Sequence, residues 1–170
     1  MYLSPINIED AELYTKWLND YTVSRNLGLC NQMISLDSER KILEKLASEG
    51  QNFAIVQIEG DVLIGNISLM DLDHINRKAT LGIFIGDEAN RGKGYGLEAV
   101  NLILEYGFKT LNLHNIMLLV HSDNEQAISC YKKAGFTVFG CQRESKFKNG
   151  KYIDLIYMDI LDTDFYALMG

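Results

Sequence analysis

The run KATLGIFIG, residues 78–86, constrains the fold more than any other stretch because it carries apolar side chains at consecutive positions. A strand that is apolar on both faces has to be covered on both, which predicts a central strand in a sheet with helices on either side. The residues ANRGKGYGLEAV at 89–100 then place three glycines and two cations ahead of a helical pattern. We therefore expect a strand, a glycine-rich turn and a helix in succession at the middle of the sheet.

The other periodic segments set the order of the elements around this strand. Strands are predicted at residues 2–6, in two runs within 52–70 that turn at 59–61, at 115–121 and on either side of Asn149-Gly150; helices are predicted at 7–20, 36–50, 94–111 and 122–135. Asp37 or Ser38 is the expected N-cap of the second helix, and Ser122 with Glu125 is the expected capping box of the fourth. Asn149-Gly150 is a strong signal for a tight type I′ turn. The order predicts an α/β fold, a mixed sheet of about seven strands flanked by about four helices, in a single domain over residues 1–170.

Charge and composition exclude several classes of function. A net charge of -7 argues against a surface that binds a nucleic-acid duplex and mildly favours a cationic small molecule or basic peptide as partner. No apolar run is long enough to cross a bilayer and the first residues form no secretory leader, so we expect a cytoplasmic protein without a membrane partner. Cys30, Cys130 and Cys141 are widely spaced and lack a CxxC pair, which indicates reduced thiols and no metal site.

Two phosphate-binding patterns fail on the spacing of the glycine cluster. A mononucleotide loop needs G-x-x-x-x-G-K-[ST], but Gly86 lies one residue too far from Gly92 and Lys93 is followed by Gly94. A dinucleotide fingerprint needs G-x-G-x-x-G in the first βα turn, whereas Gly92, Gly94 and Gly96 are spaced as G-x-G-x-G after the fourth strand. Neither kind of nucleotide site is predicted here.

A third pattern, [Q/R]-x-x-G-x-[G/A], is met by Arg91, Gly94 and Gly96. Glycines let the backbone approach phosphate oxygens, and the N-terminus of the following helix adds partial positive charge, which Arg91 and Lys93 can supplement. A glycine-rich surface turn with incidental basic residues would give the same letters, so this motif alone leaves both interpretations open.

A second motif follows in NEQAISCYKKAGF, which has Asn124, Ala127, Tyr131, Gly135 and Phe136 in the register of a later motif of the GNAT acetyltransferase superfamily. With both motifs in order, the chain resembles that superfamily from roughly residue 53 to 160. KWLND near the start and FKNGKYIDLIYMDIL at the end are similar to the branch of ribosomal-protein and polyamine N-acetyltransferases.

The resemblance implies a mostly antiparallel, twisted sheet, acetyl-CoA as co-substrate and a primary amine as acceptor, with no metal. It places pantetheine beside the fourth strand, where a backbone N–H near Phe84 or Ile85 holds the thioester carbonyl, and it makes Tyr131 the acid that protonates the departing sulfur. Gly82 is expected at a close approach or a packing position. A homodimer is left open. The residues assigned to the cofactor are Ile83, Phe84, Ile85, Arg91, Gly92, Lys93, Gly94, Tyr95, Gly96, Asn124 and Tyr131.

The general base is not assigned. Relatives carry a glutamate at the positions of Leu119 or Thr80 in this chain, and Asp71, Asp73, His74 or a water chain could each replace it. Acceptor selectivity is expected from the N-terminal helices and the segment YTVSRNLGLCNQM at 21–33. Two functions remain: an active N-acetyltransferase, and a non-catalytic CoA-binding sensor or scaffold of the same fold.

Overall fold

A computed structural model describes residues 1–27 and 32–170 of the chain. Its strands are β1 (Tyr2–Pro5), β2 (Asn52–Gln57), β3 (Val62–Asp73), β4 (Lys78–Ile85), β5 (Asn115–His121), β6 (Thr137–Lys148) and β7 (Lys151–Leu161). Its α-helices are α1 (Ala11–Leu18), α2 (Tyr21–Ser24), α3 (Leu36–Ser48), α4 (Tyr95–Glu105), α5 (Glu125–Lys133) and α6 (Asp162–Met169). The strands form one sheet in the order β1-β2-β3-β4-β5-β7-β6. The prediction of a mixed sheet with a central fourth strand is confirmed.

The sheet contains both parallel and antiparallel pairings. The pairs β1–β2, β2–β3, β5–β7 and β6–β7 are antiparallel, while β4 and β5 run parallel and are paired only from Lys78 with Asn115 to Thr80 with Met117. The last hairpin turns at Asn149 and Gly150, which both have positive φ, 51° and 75°. These angles fit the type I′ turn that the sequence predicts.

Two helices were not predicted. The four residues of α2 are too few to show a period, and α6 begins directly after β7 without a glycine or proline between them. The start of α6 is marked instead by Asp164, whose carboxylate accepts a hydrogen bond from the Leu161 N–H at 3.2 Å.

Two predicted helix caps are wrong. Ser35, not Asp37 or Ser38, is the N-cap of α3, because its side-chain oxygen accepts from the Ser38 N–H at 3.2 Å. Asn124 is the N-cap of α5, since its side chain accepts from the Ala127 N–H at 3.3 Å. The Ser122 hydroxyl, expected in a capping box, accepts instead from the Asp154 N–H of β7. That partner lies far along the chain, so local spacing could not indicate it.

The described chain divides into two compact units. The first unit contains Met1–Ser68 and Ile83–Ala99, and the second contains Leu69–Gly82 and Val100–Gly170. The core of the first unit is formed by Ile6, Ala11, Tyr14, Trp17, Val23, Leu43, Ala54 and Val56. In the second unit the fully buried side chains include Ile103, Leu104, Leu113, Ile116, Leu118, Met158 and Ile160. Each unit therefore has buried apolar side chains of its own.

Within the described ranges, no helix is long and apolar enough to cross a membrane. Cys130 and Cys141 are free thiols, and Cys30 lies outside the described residues. Among the residues that the structure describes, no three His, Cys, Asp or Glu side chains are grouped closely enough to hold a metal ion.

Candidate active site

The glycine loop, residues 87–94, lies in the first unit between β4 and α4. Asp87 caps a short 3-10 helix, Glu88–Asn90, by accepting a hydrogen bond from the Ala89 N–H at 3.0 Å. Gly92 and Gly94 then take left-handed φ angles of 73° and 89°. A residue with a Cβ rarely adopts these angles, so both glycines are required by the path of the backbone.

The loop ends at the N-terminus of α4. The first intrahelical hydrogen bond runs from the Glu98 N–H to the Gly94 carbonyl at 3.0 Å. The N–H groups of Tyr95, Gly96 and Leu97 therefore have no acceptor inside the helix and form a donor cluster at its positive end. Lys93 is exposed beside them. This geometry suits an anion such as a phosphate.

Arg91 fixes the loop to its surroundings. Its guanidinium donates hydrogen bonds to the carbonyls of Ile85 at 3.3 Å and Gly86 at 3.5 Å, where β4 ends, and to that of Thr22 in α2 at 3.2 Å. A guanidinium has five N–H donors, so donors remain for a phosphate. In this structure the side chain joins the loop to the end of β4 and to α2.

Near the end of β4, one backbone N–H group points to the edge of the strand opposite β3. A Cβ added at Gly65 of β3 would lie 2.2 Å from the Phe84 carbonyl, so this carbonyl points toward β3. The Gly86 N–H also points there, since it donates to the Ile64 carbonyl at 2.9 Å. Successive residues of a strand direct their polar groups to opposite edges. The Ile85 N–H therefore points to the other edge, which favours Ile85 over Phe84 as the donor to a thioester carbonyl.

Close packing in the first unit holds this end of β4. A Cβ at Gly86 would lie 2.0 Å from the Trp17 ring. The Phe84 ring packs edge-on against Tyr14 and Trp17, with centroids 6.1 and 6.3 Å away. Sequence reasoning singled out Gly82 and overlooked Gly65, although an isolated glycine inside the strand pattern LIGNISL was the available signal for a close approach.

The second motif lies in the second unit and mainly builds α5. Asn124 caps the helix, as described above, and its own N–H donates to the His121 carbonyl at 2.9 Å. Gly135 ends the helix with φ of 98°, and a Cβ there would lie 2.5 Å from Leu168 and 3.0 Å from Ile160. These contacts give Asn124 and Gly135 structural functions, and contact of Asn124 with a cofactor stays a prediction.

Tyr131 is the buried residue of α5. It is 9% exposed, and its ring packs edge-on against Phe136 with centroids 5.9 Å apart. Burial raises the pKa of Tyr131 well above its ordinary value. The phenol is therefore protonated throughout the physiological range, and it can donate only to a strong base such as a thiolate formed in a dry site.

The candidate bases at the end of β3 and in the turn that follows it differ in their surroundings. The Asp73 carboxylate accepts hydrogen bonds from the N–H groups of Ile75 and Asn76 and from the Asn76 amide, at 2.7–3.0 Å. The bonds from Asn76 lower the pKa of Asp73. A carboxylate that stabilises its own turn is a weak base. Asp71 and His74 are exposed.

A buried acid in the first unit was not predicted from the sequence. Glu39 of α3 is 2% exposed, and its Oε2 atom is buried without a hydrogen-bond partner, as is the Tyr14 hydroxyl. Burial raises the pKa of Glu39. Burial also raises the pKa of Tyr14; the negative charges of Asp10 and, less strongly, Glu39 add to this effect, and the Asn66 side chain opposes it. The pair forms a desolvated polar cluster within an apolar core.

The comparisons with known proteins agree with this fold. The family model described as the acetyltransferase (GNAT) domain matches residues 1–137. The chain is 36% identical to the spermidine N(1)-acetyltransferase of Escherichia coli K12 over 113 residues, which are 66% of this chain and 60% of that protein. It is 31% identical to the probable N-acetyltransferase YjcK of Bacillus subtilis over an alignment of 175 positions, which covers 96% of this chain and 95% of that protein.

Among solved structures, one similar chain is the spermidine N-acetyltransferase of Vibrio cholerae in complex with CoA and spermine. It aligns with a TM-score of 0.85 and 27% identity, over 97% of both chains. The sequence match to the first curated spermidine acetyltransferases spans about 60% of their length. The family model covers most of the chain described here, and the chain belongs to the GNAT acetyltransferase domain family.

Proposed function

We propose that this chain is an acetyl-CoA-dependent N-acetyltransferase that acts by direct attack of an amine on the thioester in a ternary complex. The observation that carries the proposal is the donor cluster at the start of α4, behind Gly92 and Gly94 in left-handed conformation. Family membership supports acetyl-CoA as the anion that this loop binds.

The residues divide the chemistry between backbone and side chains. The N–H groups of Tyr95, Gly96 and Leu97 hold the diphosphate, with Lys93 adding a full charge. Pantetheine lies along residues 83–85, and the Ile85 N–H stabilises the negative charge that develops on the carbonyl oxygen. Tyr131 protonates the departing thiolate, whose own pKa rises in a dry environment.

The acceptor is a primary amine on a cationic molecule, of the polyamine class, or a protein or peptide N-terminus. The net charge of -7 favours a cation over an anion by long-range attraction. The similar proteins from E. coli and V. cholerae support the polyamine class, since their names and complex concern spermidine and spermine. We further propose a cytoplasmic protein that acts without nucleic acid or membrane, with a homodimer as the assembly to test.

A second candidate is a CoA-binding module without turnover. Leu119 and Thr80 stand at the two positions where the family resemblance implies a catalytic glutamate in some members, and neither is an acid; the Leu119 side chain is 41% exposed. A chain that lacks both carboxylates could retain cofactor binding while losing the base.

Thiol release from acetyl-CoA over a panel of amines tests the two functions. The panel includes spermidine, spermine, a basic peptide N-terminus, an aminoglycoside and a neutral amino acid. We expect CoA release and a mass increase on one of the cationic amines. CoA binding without release above background on every amine would favour the module, and activity on the neutral amino acid alone would overturn the acceptor class.

A further inference from the structure

His121, the last residue of β5, has a buried nitrogen that no residue in the described part of the chain hydrogen-bonds. The residue is 7% exposed, and its Nδ1 atom is enclosed without a hydrogen-bond partner. The small exposure of the residue therefore belongs to its other atoms. A buried polar atom without a partner is unusual in a folded protein, and it calls for an explanation in structure or in function.

The face of β5 that carries His121 is exposed to solvent two residues earlier in the strand, at Leu119. Side chains two residues apart share one face, so His121 lies on the face of Leu119, which is 41% exposed. The pairing of β5 with β4 covers only Asn115 to Met117. On that edge, in the described part of the chain, the last four residues of β5 have no partner strand. His121 thus stands at the end of a strand that is paired with β7 on one edge and unpaired on the edge toward β4, three residues before the cap of α5, the helix that carries Tyr131.

Burial, helped by nearby lysines, favours the neutral imidazole of His121. Lys148 of β6 has a side chain only 8% exposed and lies 2.7 Å from Asp123 in the turn after β5. Burial lowers the pKa of His121, the positive charges of Lys148 and Lys146 act in the same direction, and Asp123 opposes them. An imidazole that is neutral at physiological pH can accept a proton.

We propose that His121 is the general base of the transfer reaction, an assignment that rests on the proposed function. As the nitrogen of the neutral amine bonds to the thioester carbonyl carbon, its surplus proton moves to the imidazole. The carbon–sulfur bond then breaks, and the sulfur takes the phenolic proton of Tyr131. The imidazolium then passes its proton to the phenolate, directly or through water, which restores both groups. No oxidant, metal or further co-reactant is needed.

The first test compares His121→Gln with His114→Gln, in the protein with acetyl-CoA and an accepted amine. His114 precedes β5, is half exposed and is bonded to Asp162 at 3.0 Å. We expect His121→Gln to lower kcat by about 10²-fold or more and to leave CoA affinity unchanged, because positioned base catalysis has that magnitude. The control should stay within about twofold, the scatter of a surface change. Wild-type kcat in His121→Gln would overturn the proposal.

The second test shifts the pKa of His121 by changing the charges of neighbouring residues. Lys148→Gln removes a positive charge near His121 and breaks the ion pair that neutralises Asp123. Both effects raise the pKa of His121, so the acid limb of the pH profile of kcat should shift to higher pH. Asp123→Asn should shift it to lower pH by the reverse argument. Lys151→Gln, an exposed lysine at the start of β7, is the matched control and should not move it. The amine's own protonation contributes equally to every variant. Equal shifts in all three variants would contradict the assignment.

A separate readout distinguishes failure of this inference from failure of the proposed function. The imidazole of His121 is followed by NMR against pH, with and without CoA and spermine, and we expect a pKa below the ordinary value of histidine that changes when spermine binds. If the wild type acetylates no amine, both proposals fall. If it does, and kcat and the pH limbs are insensitive to His121, Lys148 and Asp123, only the base falls. Should His121→Gln not fold, the two charge variants decide alone.

Discussion

The glycine loop of the first unit and the end of β5 with α5 in the second unit offer different kinds of chemistry. In the loop, the groups available to a ligand are backbone N–H groups, set by the φ angles of Gly92 and Gly94 and held by Arg91. In the second unit they are the side chains of Tyr131 and His121, both buried, with pKa values that burial moves in opposite directions. Burial raises the pKa of the phenol and lowers that of the imidazole because it disfavours the charged form of each.

This difference teaches where each region can tolerate change. A backbone site depends on conformation, so it is sensitive wherever a Cβ would alter φ or meet another backbone atom, and it is indifferent to most side chains. A side-chain site depends on one reacting atom and on the dryness of its surroundings. Substitutions should therefore separate binding of the cofactor from turnover.

The largest effect is expected from Tyr131→Phe. The change keeps the ring against Phe136 and removes a proton donor used only in the transition state, so kcat and kcat/KM should fall together by about 10²- to 10⁴-fold. CoA affinity, measured by titration, should be nearly unchanged. A structural tyrosine would instead lose about 1 kcal/mol of stability and little rate. Wild-type kcat would remove Tyr131 from the mechanism and leave water as the proton source.

Gly65→Ala should destabilise the first unit by about 1–3 kcal/mol, the range for overpacking, because its Cβ would meet the Phe84 carbonyl. Thermal or denaturant unfolding measures this loss. It should also weaken turnover by displacing the Ile85 N–H. Gly140→Ala in β6 is the matched control, since its nearest neighbour is 3.6 Å from the added Cβ. Equal stability of the two variants would contradict the close approach of β3 and β4.

Gly94→Val should reduce CoA affinity by about tenfold or more. A left-handed residue with a Cβ is strained by about 1–2 kcal/mol, and the loop can relieve this strain only by leaving the backbone path that binds the ligand. The Cβ of Gly94 has open space around it, so the effect comes from conformation and from approach of the ligand, not from a clash. Gly50→Val is the control. Gly50 follows α3, also has a left-handed φ of 74°, and a Cβ added there would meet no other atom within 4 Å. Both variants should lose similar stability, and calorimetric titration should find weaker CoA binding in Gly94→Val only. CoA binding as tight as in the wild type would remove the loop from the cofactor site.

The smallest effect concerns Glu39→Gln. Burial raises the pKa of Glu39, so its contribution to stability is fully present below the ordinary pKa of about 4.3 and is lost as pH rises through the folded-state value. Glutamine cannot ionise, so the variant should melt at a higher temperature than the wild type at pH 7–8 and at the same temperature at pH 4. Glu44→Gln, exposed on the same helix, should show no such difference. A lower melting temperature at pH 8 would mean that the Glu39 carboxylate has a stabilising partner.

Most elements of the fold could be predicted because their apolar period is local. The central strand, the helix behind the glycine loop and the turn at Asn149-Gly150 each follow from fewer than twenty consecutive residues. Helix caps were less predictable. The Ser122 hydroxyl could cap α5 or accept a hydrogen bond from β7, and the structure shows the second because the Asp154 N–H, thirty-two residues away, lies next to it. Helix α2 is too short to show a period, and α6 follows β7 without a glycine or proline that would mark its start, so neither could be predicted from the local sequence.

For the candidate site, the sequence by itself determined the spacing of Arg91, Gly94 and Gly96 and the second motif around Tyr131, because these are patterns of neighbouring residues. Only the tertiary structure decided which N–H of β4 faces outward, since that depends on the register between Gly65 and Phe84. It also decided that Glu39 and His121 are buried with unpaired atoms, because burial is a property of what packs against a residue. Two glutamates or two histidines look alike in a sequence, and their chemistry differs once neighbouring elements remove water from one of them.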